Sequence, residues 1–125
     1  MLQSILLFSG AGIVILWGIA HIIPTRSVVK GFGELSQDNR RIITMEWVAE
    51  GLTLIFIGVL VLLVEALGDP QASTGILVIR ACAGMLLAMA AWTFVTGGKT
   101  AIVPIKICPL VKSTVAVLFL LGTVL

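Results

Sequence analysis

Charge is what this sequence has least of. Only 11% of its 125 residues are Asp, Glu, Lys or Arg, where a soluble domain carries about a quarter to face water. With 59% of the residues hydrophobic and a mean hydropathy of +1.20, nothing remains to build a wetted surface, and a soluble globular domain is excluded. Other absences narrow the field. Met1-Leu2-Gln3-Ser4 carries no side-chain charge and the first apolar run continues to Pro24, so it lacks the basic leader of a signal peptide and reads as a membrane helix. No repeat, low-complexity tract or soluble extension follows, which places any function in the bundle or its short loops. Cys82 and Cys108 fall near opposite faces of the expected bilayer, so no disulfide is expected between them. Neither makes a metal-ligand spacing with His21, so no metal site is expected and no cofactor is named by the sequence. The Cys108-Pro109 dipeptide is similar to those of haem-responsive proteins, and a lone dipeptide carries no assignment.

What is present arrives in blocks of the length a bilayer demands, roughly 20 apolar residues for a core of about 30 Å. Residues 2–23, 42–67 and 76–96 meet that length. A fourth block, 109–125, is expected to start near Pro109, where proline suits a first helical turn. Residues 101–109 then form a kinked or interfacial approach, and Lys112 snorkels to the headgroups. The fold class is therefore all-α: a polytopic four-helix transmembrane bundle, forming one domain over 1–125.

Basic residues set the orientation. Arg26, Lys30, Arg40 and Arg41 lie in the first connection and Lys99, Lys106 and Lys112 in the third region, while 68–75 has no Lys or Arg. Positive loops stay in the cytoplasm, so both termini are expected outside, in what we expect to be a bacterial inner membrane. The net charge of +2 then belongs mainly to the inner surface, where it suits anionic lipid rather than nucleic acid. Trp17, Trp47 and Trp92 all fall in the inner half, as an interfacial aromatic belt or as the lining of a cavity.

Ionisable residues inside a membrane are functional hypotheses by default. Glu65 and Arg80 lie at similar depth on successive helices near the outer face, and a structural ion pair is expected. His21, Glu46 and Glu50 form an inner group. Glu46 and Glu50 are four apart, on one helical face, and Glu50 is expected to be the deepest charge in the chain. His21 is at the depth to partner Glu46, and Lys99 or Arg26 could reach the same region. With Trp47 and Trp92 these residues make a candidate ligand-binding or proton-titrating site, against the alternative of a polar network that only joins helices. A stripe of Ala81, Gly84, Ala88 and Ala91 favours close helix contact, with Gly51 and Gly58 as its expected counterpart.

The connection Arg26-Ser27-Val28-Val29-Lys30-Gly31-Phe32-Gly33, followed by Glu50-Gly51-Leu52-Thr53-Leu54-Ile55-Phe56-Ile57-Gly58 in a long apolar helix, resembles the DoxX-like superfamily of small four-helix membrane proteins. The resemblance covers the first half of the chain best and supplies no catalytic motif. It implies an accessory subunit of a quinone-linked or thiol-linked redox system, with a lipophilic or protein partner. Small four-helix multidrug transporters usually carry a glutamate within the first helix, and this one has none. Three functions stay open: a binding or accessory subunit, alone or as a homo-oligomer, with a cytoplasm-facing polar site; a proton-coupled transporter or channel using Glu50; and a membrane enzyme using His21 with Glu46 or Glu50 as acid and base. The orientation is testable first: a single cysteine placed at Ala72 should react with an impermeant maleimide from the outer side, and labelling only from the cytoplasm would reverse the topology.

Overall fold

In hydrocarbon a chain must satisfy its own backbone polar groups, which a helix does within one segment. A computed structural model describes all of residues 1–125, and 84 of its 100 backbone–backbone hydrogen bonds lie inside helices, with no strand. Five α-helices run in order: α1 (Leu2–Ile22), α2 (Thr25–Gly31), α3 (Gln37–Leu67), α4 (Ser73–Val95) and α5 (Val103–Gly122), with a 3-10 turn at Gly97–Lys99 before α5. The helices α1, α3 and α5, and α4 continued through that turn, are each long and apolar enough to cross a membrane. The chain is a small integral membrane protein.

Three boundaries differ from those expected. The polar first connection contains the short helix α2, and Gly33, the one residue with positive φ (77°), turns the chain out of it. Helix α3 starts at Gln37 rather than 42, because Ser36 caps it by accepting from the Asn39 N–H at 3.1 Å. At about 46 Å for 31 residues, α3 is longer than the hydrocarbon core. Helix α5 starts at Val103 rather than near Pro109. Pro104 takes the first-turn position and Pro109 sits inside the helix, where its missing N–H leaves one intrahelical hydrogen bond unmade. That earlier start draws Lys112 some 9 Å farther into the helix.

The four long helices are joined as two pairs. Helix α1 packs chiefly on α3 and α4 on α5; α1 also packs on α5, whereas α3 and α4 meet only marginally. The core runs along these seams through Leu7, Ala11, Val14, Leu54, Val61, Ile79, Leu86, Val115 and Phe119. Glycine sets the α1–α3 distance. A Cβ on Gly18 would stand 2.7 Å from the Gly51 carbonyl oxygen, one on Gly51 2.4 Å from an Ile22 side-chain carbon, and one on Gly58 2.5 Å from Ile15 and 2.9 Å from the Ala11 carbonyl. Gly51 and Gly58 therefore answer α1 and not the small-residue stripe of α4. That stripe faces outward: Ala81, Gly84, Ala88 and Ala91 are all exposed, and a Cβ on Gly84 meets nothing within 4 Å.

This contrast gives a matched pair of substitutions. Gly51→Ala should lower stability in detergent by about 1–3 kcal/mol through overpacking against the Ile22 side chain and the Gly18 carbonyl, seen as a lower midpoint of thermal unfolding. Gly84→Ala should leave the midpoint unchanged or raise it slightly, since alanine is the better helix former.

Candidate functional site

Where α3 and α4 fail to close on one another, a cavity of about 720 Å³ opens. It lies at the end of the bundle that carries the basic connections, since Pro24, Val28, Gly97, Ile102 and Pro104 contribute to its wall. All three tryptophans, Trp17, Trp47 and Trp92, line it, and most of its lining residues are hydrophobic. Trp92 is largely exposed at 71%, with Trp17 and Trp47 more enclosed.

The polar part of the cavity is built from all four long helices. Lys112 of α5 is fully buried, and its ammonium makes an ion pair with Glu50 Oε1 on α3. The same ammonium donates to Thr93 Oγ1 on α4 at 3.1 Å. The Thr93 hydroxyl in turn donates to the Met89 carbonyl at 2.8 Å, which leaves its oxygen lone pairs free to accept from Lys112. Glu50 is the less enclosed partner, its side chain 31% exposed, and it borders the cavity. Its second oxygen, Oε2, lies 3.7 Å from His21 Nε2 on α1, beyond hydrogen-bond length.

His21 is held in place from two directions. Its ring stacks on Trp47 with centroids 4.0 Å apart and planes 13° from parallel. The Trp47 indole N–H donates to the His21 carbonyl at 2.7 Å. Although the side chain is only 10% exposed, Nε2 has no hydrogen-bond partner. On the far wall the Trp17 indole N–H donates to Cys108 Sγ at 3.4 Å. The cysteine is buried beside the cavity and no three His, Cys, Asp or Glu side chains come together as metal ligands.

The cavity thus brings together His21, Trp47, Glu50 and Trp92, and it leaves Glu46 out. Glu46 is exposed and does not border it. A separation of four residues shares a helical face but rotates it by about 40° and moves it about 6 Å along the axis, enough to carry Glu46 away from His21. Lys99 and Arg26 make no ion pair there, since both ion pairs in the protein involve Glu50. Lys112 does not snorkel, and it takes the place that sequence reasoning left to those cations. Lys112, Thr93 and Cys108 were not singled out for the site, and Trp17 only as one of three tryptophans able to line a cavity. The signal for Lys112 was present in Pro104, an equally good first-turn residue five positions before Pro109.

At the opposite end Glu65 and Arg80 do not pair. Arg80 is exposed and its Nε donates to Thr123 Oγ1 at 3.2 Å, while Glu65 Oε2 is enclosed without a hydrogen-bond partner. The reason is the packing: α3 and α4 follow one another in sequence but are not close neighbours.

Comparison with protein-family models, with curated proteins and with solved structures finds no match, so the chemistry of the site is read from its own geometry. That geometry makes the two ends of the ion pair unequal. Glu50→Gln strands a buried ammonium and should cost about 3 kcal/mol. Lys112→Met leaves a carboxylate that borders the open cavity and should cost less. The double variant should be more stable than Glu50→Gln alone, a rescue that unfolding in detergent will measure; equal, additive losses would show that the pair does not act as a unit.

Proposed function

We propose that this protein is a membrane binding or accessory subunit that holds a lipophilic small molecule in the α3–α4 cavity, with the polar head of the ligand against Glu50 and His21. One observation carries the reading: a nine-tenths buried histidine offers an unpartnered Nε2 to an apolar, tryptophan-lined space, beside a carboxylate oxygen that it does not reach. A buried polar atom without a partner is costly, and a ligand hydroxyl or carbonyl would satisfy it. The volume of about 720 Å³ falls within the range of small-molecule sites, which combine apolar walls with a few convergent polar groups.

The parts then have distinct roles. Lys112 and Thr93 hold Glu50 Oε1, so Glu50 presents Oε2 to the ligand in a fixed direction. Trp47 fixes the plane of His21 from behind. Trp17 and Trp92 offer flat apolar faces on which a ring or chain can lie. In the orientation expected from the basic connections the cavity opens toward the cytoplasmic side, in a bacterial inner membrane, and a lipophilic ligand agrees with the resemblance of the first half of the chain to the DoxX-like superfamily.

A pair of probes separates head from body. In calorimetric titration of the detergent-solubilised protein, 2-naphthol should bind about fivefold more tightly than 2-methoxynaphthalene, which keeps the rings but cannot donate. His21→Phe retains the stack on Trp47 and should remove that difference while leaving affinity for the ether nearly unchanged. If neither probe shows saturable binding, or if the variant leaves the preference intact, the reading fails.

A further inference from the structure

A second opening lies on the same end of the molecule, and its chemistry is the opposite of the first. It has a volume of about 260 Å³ and is lined by Thr25, Arg26, Val29 and Lys30 of α2 with Arg40 and Thr44 of α3. Val29 is buried and forms its apolar floor. Three cations therefore converge on one small cleft with no acid among its lining residues. None of them makes an ion pair, because the two ion pairs of the protein both belong to Glu50. The hydroxyls do not neutralise the cations: Thr25 donates to the Ile22 carbonyl and Thr44 to the Arg40 carbonyl.

The cluster works against the local helices. Arg26 and Lys30 are four apart on α2, a spacing at which like charges destabilise. Arg40 stands in the first turns of α3, at the positive end of the helix dipole, where an anion and not a cation is favoured. An anion in the cleft relieves both conflicts, and two guanidinium groups with an ammonium supply the charge-assisted donors that a phosphate takes up best.

We infer that this cleft binds the phosphate of an anionic lipid headgroup. A membrane lipid fits better than a free phosphate because the cleft lies where α2 joins two membrane-spanning helices, α1 and α3, at the level of the headgroups, and Ile23, 78% exposed, stands just before α2. The site is separate from the tryptophan-lined cavity, and α2 divides the two, giving Val28 to one and Val29 to the other.

Arg41 supplies the control, since it carries the same charge beside Arg40, is exposed, and does not line the cleft. Native mass spectrometry of the detergent-solubilised protein should show dioleoylphosphatidylglycerol retained in preference to dioleoylphosphatidylcholine. Arg26→Gln, Lys30→Gln and Arg40→Gln should each weaken that binding about fivefold, the value of one surface cation toward anionic lipid, and Arg41→Gln should weaken it less than about twofold. Equal losses for Arg40→Gln and Arg41→Gln would reduce the effect to diffuse surface charge and overturn the assignment. So would equal retention of the two lipids. Glycerol 3-phosphate competing at the same concentration as the lipid would make the free anion the ligand and also sink it.

Discussion

The ion pair between Glu50 and Lys112 is the interaction on which the rest of the bundle turns. It joins α3 to α5, two helices that are not packing neighbours, so side chains and not backbone contact span the gap. With Thr93 on α4 and His21 on α1 arranged around it, each of the four long helices contributes to one polar node. In hydrocarbon such a node is worth its cost of desolvation only when both charges are present and their remaining hydrogen-bonding groups are occupied. Lys112 meets that condition through Glu50 and Thr93. His21 does not, and the polar site of the cavity begins at that deficit.

The node also explains why the cavity lies where it does. Helices α1 and α3 approach closely along Gly18, Gly51 and Gly58, and α4 and α5 form the second close pair. A polar node lies between the pairs toward their basic end, in place of the apolar side chains that close the core elsewhere. The indoles of Trp17, Trp47 and Trp92 surround the space that is left. Two of the three indole N–H groups are already occupied, by Cys108 Sγ and the His21 carbonyl, so the walls present faces more than hydrogen-bond donors.

The four spanning helices were legible because hydropathy over about 20 residues is a strong signal. The grouping of Glu50 with His21, Trp47 and Trp92 on one cavity was legible for the same reason: position along a helix converts directly to level along the bundle. Rotation and neighbourhood were not. Glu46 shares a helix face with Glu50 only to within part of a turn. Glu65 and Arg80 have matching depth on helices that are consecutive but poorly packed on each other. Lys112 was misplaced by a choice between two prolines. Pro104 and Pro109 both suit a helix start, and local sequence cannot tell which one tertiary packing will absorb into the helix interior. The small-residue stripe of α4 had the spacing of a helix seam, yet α4 buries its other face, through Ile79, Cys82, Ala83, Leu86 and Ala90.

The separation of the ion-pair partners along the chain bears on how the protein is made. Glu50 and Lys112 stand 62 residues apart, so during synthesis the helix carrying the carboxylate reaches the membrane well before its cation has been translated. Until α5 is made, Glu50 has no Lys112 to pair with, and α3 carries a carboxylate without the cation that the finished bundle supplies. A chain truncated before α5 would therefore differ from the finished protein by one uncompensated carboxylate on an apolar helix, a chemical mark of incompleteness that disappears when the last helix is in place.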